Sequence, residues 1–233
     1  MAFSRRKFVG GIGTSVAALG SLGLSPRSAE AELVYQQKDW DLVAFQKLLK
    51  TPARVKQIFD ADALNGGHFL SVMKNSLNGL HFGFGIPADQ IRIVACMHGG
   101  PSYTAFDDSM WAKYKLGEIA DVKDPETGKP ATRNIFYPSK PNTIEDVEDP
   151  KSKWQDSSIQ GLQARGCTFL SCHNATESQA VGLVKKLGLT VTAEEVTNDL
   201  QAHTVPGIQI MPAMVAAITL LQSEGHFTYL SIA

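Results

Sequence analysis

From Asp39 to Lys50 apolar side chains recur at helical spacing, and Pro52 stops the segment. The period then changes: Val55, Gln57 and Phe59 alternate with Arg54, Lys56 and Ile58, which predicts a short strand over 54–59. After Gly66-Gly67 the spacings of three and four return at Phe69, Leu70, Met73, Leu77 and Leu80, one face of a helix. Ile91-Arg92-Ile93-Val94-Ala95-Cys96-Met97 is almost wholly apolar and is stopped by His98-Gly99-Gly100-Pro101. A strand apolar on both sides belongs in a parallel sheet covered by helices on each face.

The alternation continues to the end of the chain. Residues 105–119 read as helix, and 121–150 hold five of the eleven prolines among many charges, so they are expected to be a surface insertion. Helix resumes over Trp154–Ala164 and stops at Gly166; Cys167–Ser171 is a strand; 176–187 is a helix closed by Gly188. Ile208–Met211 is a brief strand, and Pro212 starts a helix carrying Met214, Val215, Ile218, Leu220 and Leu221. After Gly225, His226–Ile232 alternates as a final strand. Strands alternating with helices predict a three-layer α/β/α domain with a mostly parallel sheet over 54–233, preceded by a helical extension at 32–53.

The first thirty-one residues follow a different logic. Ser4-Arg5-Arg6-Lys7-Phe8 puts paired arginines before a glycine-rich apolar run, and Ala29-Glu30-Ala31 follows as a small-x-small cleavage site. Basic region, apolar region and cleavage site in that order make residues 1–31 a signal peptide, and the paired arginines resemble a twin-arginine (Tat) export signal. The expected location is therefore the bacterial periplasm. A run this rich in glycine falls short of the roughly 20 predominantly apolar residues of a spanning helix. Cleavage leaves 18 basic and 22 acidic residues, and the whole chain has a formal charge of −1. That balance argues against a nucleic-acid surface. Of 233 residues, 43% are hydrophobic, enough for a real core, and three cysteines are too few for a disulfide scaffold.

In a parallel sheet, ligands gather at the carboxyl ends of strands. Two such ends carry reactive side chains: Cys96-Met97-His98-Gly99-Gly100 and Ser171-Cys172-His173-Asn174. Cys172 directly precedes a helix, whose amides and partial positive charge favour a thiolate. It is the leading nucleophile candidate, against the alternative of a small buried apolar residue. His98 and His173 are placed to move its proton, and the amides of Gly99 and Gly100 to meet an anion, unless they form only a tight turn.

Cys167 lies five strand residues away, roughly 16 Å at about 3.3 Å each, too far for a disulfide. Three further readings stay open. Cys96 and Cys172 can pair if their strands are neighbours. Cys96, His98, Cys172 and His173 offer metal-ligand types without the close spacing of strong motifs. Cys167-x4-Cys172-His173 resembles a lengthened haem c attachment motif. The leading reading calls for no cofactor and no metal.

Val94-Ala95-Cys96-Met97-His98-Gly99, then Leu162-Gln163-Ala164-Arg165-Gly166-Cys167-Thr168-Phe169 leading to Ser171-Cys172-His173-Asn174, resembles the DsrE/DsrF-like family. The C-terminal helix from Pro212, the turn Gln222-Ser223-Glu224-Gly225 and the closing strand His226–Leu230 are similar too. The resemblance covers about residues 54–232. It implies a small α/β protein assembling as a homotrimer or homohexamer. It also implies a persulfide relay on Cys172, with a sulfur donor or acceptor protein, or a small sulfur species, as partner. The family's relays are cytoplasmic and its compact members lack the insertion, so an exported member keeps the scaffold with room for a changed task. A non-catalytic oligomeric module binding a small ligand or a partner segment is the rival expectation.

Overall fold

The strand segments pair as their apolar patterns require. The structure, a computed structural model, describes residues 34–138, 145–146, 148–152 and 155–232. The leader at 1–31 with its cleavage site, Trp154 and positions 139–144 of the insertion lie outside the described residues. Among the described residues, β1 (Val55–Ala61), β2 (Ile91–Met97), β3 (Thr168–Cys172), β4 (Ile208–Met211) and β5 (Thr228–Ile232) form one parallel sheet, in the order β4-β3-β2-β1-β5.

That order decides the layers. From β1 to β4 the chain steps in one direction across the sheet, and right-handed crossovers place the intervening helices on one face. These are α2 (His68–Asn78), α3 (Asp108–Lys113), α4 (Leu116–Ile119), α5 (Ile159–Ala164), α6 (His173–Leu187) and α7 (Ala193–Ala202). The return from β4 to β5 reverses the step, so α8 (Met214–Ser223) joins α1 (Leu42–Lys50) on the other face. Two packed clusters record this division. Phe59, Ile93, Ala95, Met97 and Phe169 meet Phe69, Met73, Trp111, Leu183 and Leu200. Ile58, Val94, Cys96, Leu170 and Cys172 meet Phe45, Leu48, Leu49, Ile218 and Leu221. Odd positions of β2 thus face one layer and even positions the other, the physical reason this strand is almost wholly apolar. The three-layer α/β/α arrangement is the one the pattern predicts.

Several boundaries move for local reasons. β1 runs two residues further than 54–59, through Asp60 and Ala61. The expected helix over 105–119 breaks into a 3-10 turn at Gly100–Ala105, α3 and α4, with Lys115 in a left-handed conformation between the last two. α6 begins at His173, directly after β3, rather than at 176. The described residues from Val34 onward form one compact unit, and α1 supplies Phe45, Leu48 and Leu49 to the core rather than standing apart as an extension. The segment 121–150 is not wholly superficial. Asn134 is buried, its amide donating to the carbonyls of Thr104 and Phe106, and Phe136 packs at the core beside Trp111.

α7 has no counterpart in the hydrophobic pattern, although a capping box marks its start. The Thr192 hydroxyl accepts from the Glu195 amide at 3.1 Å, and the Glu195 carboxylate accepts from the Thr192 amide at 2.8 Å. Among the described residues no helix is long and apolar enough to cross a membrane.

Candidate functional site

All five strands end on one rim, and their register lines up side chains across it. On the α1/α8 face, Ser231, Asp60, Cys96 and Leu170 occupy paired positions on β5, β1, β2 and β3. One level nearer the rim, Cys172 pairs with Met211. Met97 pairs with Ser171, so the register run on by one residue sets His98 level with Cys172 on the neighbouring strand. Adjacent strands lie about 4.8 Å apart. The two strand ends singled out in the sequence are therefore neighbours on one face.

Cys172 occupies the N-cap position of α6, and its Sγ accepts a hydrogen bond from the Met214 amide at 3.4 Å. Met214 is the first residue of α8. The sulfur thus meets the amino end of α8, whereas its side chain makes no cap hydrogen bond to α6. It is also sheltered. Cys172 is only 6% exposed, within the cluster that holds Leu170, Met211 and Met214.

The segment before α1 adds to that cover. The Tyr35 ring stacks on the His173 imidazole, with centroids 3.7 Å apart, and its hydroxyl donates to the Gln201 side chain. The Gln201 amide donates in turn to His173 Nδ1 at 2.8 Å. Trp40, further along the same segment, packs against the cluster containing Cys172. Between this segment, α7 and β4 lies a cleft of about 480 Å³ lined by Tyr35, Trp40, Asn198, Gln201 and Gln209. His173, expected to assist Cys172, is fully buried, and its Nδ1 is engaged by α7.

The other end of the rim is polar and open. The His98 amide donates to the Ala61 carbonyl at 3.1 Å, extending the β1/β2 ladder past its last strand residue. His98 Nε2 lies 2.7 Å from Asp60 Oδ1, and Nδ1 lies 3.4 Å from Asp62. The second Asp60 oxygen accepts the Tyr229 hydroxyl at 2.6 Å. That hydrogen bond, followed by burial and the carboxylate's charge, raises the Tyr229 phenol above its ordinary range. Cys96, the register partner of Asp60, is fully buried; burial first, and the Asp60 charge second, push its thiol far up. Neither effect favours a reactive Cys96 thiolate.

Gly99 and Gly100 close the turn. Gly99 has φ +56°, and a Cβ there would lie 2.6 Å from an Asp62 carboxylate oxygen, so the loop can pack this closely only with glycine. Its carbonyl accepts from the Gln179 side chain and from the Ser102 amide. Two carboxylates flank the turn, which opposes the expectation that its amides meet an anion.

The other expectations separate cleanly. Cys167 belongs with Phe169 to the opposite core, where burial pushes its thiol up to about 12 against the pull of Arg165. It therefore faces away from Cys172, and a haem attachment spanning the two has no common face. Cys96 pairs with Leu170, two residues short of Cys172, a Cα separation of roughly 8 Å that a disulfide does not bridge. All three cysteines are free. Among the described residues no group of three or more His, Cys, Asp or Glu is arranged to hold a metal. The set Cys96, His98, Cys172 and His173 does not converge, since His173 turns to Gln201 and His98 to Asp60.

Asp60, Tyr229, Tyr35 and Gln201 are site residues that the sequence reading missed. Asp60 carried the only signal, a carboxylate between Phe59 and Ala61 at the apolar end of a strand. No family model, curated protein or solved structure matches the chain.

Proposed function

We propose that this is an exported DsrE-like protein that carries sulfane sulfur on Cys172. The observation that supports this most is the Met214 amide directed at Cys172 Sγ, at the N-cap of α6. In the reaction, Cys172 loses its proton to water or to His98, and the thiolate attacks a sulfur of an inorganic polysulfide. An S–S bond forms to Cys172, one S–S bond of the polysulfide breaks, and the shortened polysulfide leaves with the bonding pair. A partner protein's thiolate then attacks the outer sulfur, taking it and returning the Cys172 thiolate. Because Cys172 is 6% exposed, loading needs an opening of the cover over it. Ser4-Arg5-Arg6-Lys7-Phe8 and Ala29-Glu30-Ala31 support a periplasmic setting. A homo-oligomer, trimer or hexamer, accompanies this reading.

Mass spectrometry after exposure to inorganic polysulfide is the test. One added sulfur atom on Cys172, absent in Cys172→Ser, is the expected result. An unmodified Cys172 beside a modified control thiol sinks the proposal.

The apolar enclosure of Cys172 favours one rival, a non-catalytic module that binds a small ligand or a partner segment. On that reading Cys172→Ser retains function, whereas the relay predicts complete loss.

A further inference from the structure

We infer that Asp60, braced by Tyr229, is the positioning residue that fixes the tautomer of His98 and leaves Nδ1 as its working nitrogen at the rim. The inference rests on the relay reading only for the group that His98 serves, Cys172.

The two ring nitrogens of His98 have unequal partners. Asp60 stands inside β1, with a mostly buried carboxylate, and both its oxygens are committed: one to Nε2 at 2.7 Å and one to the Tyr229 hydroxyl at 2.6 Å. A carboxylate oxygen can only accept here, so Nε2 carries the proton whenever the imidazole has one to place. Asp62 follows β1, is 74% exposed, and reaches Nδ1 at only 3.4 Å. That contact lies beyond an ordinary N–H···O bond and faces water, so Nδ1 keeps a lone pair accessible.

The backbone fixes the same geometry. The bond from the His98 amide to the Ala61 carbonyl sets the side chain on the Asp60 face, and Gly99 lets the chain turn immediately afterwards. The group left facing outward is therefore a base oriented by a buried carboxylate, level with a thiol on the next strand.

The titratable groups that face His98 are Asp60 and Asp62 from the β1 side, Tyr229 from β5, Cys96 below it on β2 and Cys172 across on β3. Of these, Asp60 makes the short contact, so its removal has the larger effect. Nitrogen-15 NMR of the full chain resolves this independently of any sulfur chemistry. In the wild type the uncharged His98 ring shows the Nε2–H form. In Asp60→Asn the Nε2–H preference is lost, because the amide that replaces the carboxylate can donate as well as accept. Asp62→Asn leaves the Nε2–H form in place, a distinction between the two carboxylates that mere loss of packing does not produce. An Nδ1–H ring in the wild type, or a tautomer balance that moves more in Asp62→Asn than in Asp60→Asn, overturns the assignment. The expected NMR pattern with a Cys172 that polysulfide never modifies upholds the positioning role and refutes the relay instead.

Discussion

The two ends of the strand rim share one face of the sheet and differ in almost everything else. At the β3/β4 end, Cys172 lies under α8 in a cluster of leucine and methionine side chains against which Trp40 packs, with the Met214 amide directed at its sulfur. At the β1/β5 end, His98 is half-exposed among Asp60, Asp62 and Tyr229, and the edge strand β5 is exposed along most of its length. The difference follows from topology. Only one crossover, β4 to β5, returns over the α1/α8 face, and α8 begins beside β4, so cover is thick there and thin beyond β1. On the proposed relay, the nucleophile would sit in apolar surroundings and the base at the solvent.

The largest expected effect comes from removing what the two ends share. Leu170 is fully buried, pairs with Cys96 and lies on the same face as Cys172. Leu170→Ala should cost roughly 2–4 kcal/mol in denaturant unfolding and expose both thiols to alkylation, erasing the contrast. A loss under about 0.5 kcal/mol would mean that this core repacks freely, a result typical of surface sites.

Met214→Pro sharpens the contrast. Proline is tolerated at the first residue of a helix and removes the N–H that reaches Cys172 together with the buried Met214 side chain, so Met214→Ala, which keeps the N–H, is the control for lost packing. Ala213 before it is already extended, as proline requires. A hydrogen bond to a charged group contributes about 1.5 kcal/mol or more, so alkylation of Cys172 near neutral pH should slow roughly tenfold. An unchanged rate in a protein that still melts cooperatively would remove the amide from the account.

Tyr35→Ala tests the cover. Losing a stacked ring worth about 1 kcal/mol should raise the Cys172 alkylation rate about fivefold while leaving the His98 tautomer in place. Tyr35→Phe, which keeps the ring and loses only the bond to Gln201, should fall between. Equal rates in all three proteins would show that access runs by another path. The smallest effect belongs to Asp62→Asn, whose exposed side chain should change stability by less than about 0.5 kcal/mol.

Reading the chain forward, strands β2 and β4 are legible to the residue, because an apolar run bounded by His98-Gly99-Gly100 or by Pro212 admits little else. α7 is missed because Ala193–Ala202 carries charges through its length, so its apolar stripe is narrow; the Thr192/Glu195 capping box was the better signal. The helix expected over 105–119 fails because tertiary packing around the buried Trp111 and Asn134 overrides its periodicity. Cys172 and His98 are visible as candidates, since each ends a strand. The partners of His98 are not, because Asp60 lies 38 residues from it and Tyr229, which braces Asp60, lies 131 residues away, and parallel pairing alone brings them together.

The sequence by itself determined the layered α/β class and which residues stand at strand ends, since both follow from periods of 2 and 3.6 and from glycine and proline stops. Only the tertiary structure decided that Cys167 and Cys172 face opposite cores, that His173 turns to Gln201, and that Asp60 holds His98. Those outcomes depend on which strand lies beside which and on where the single return crossover lands, and neither quantity is local to any stretch of chain.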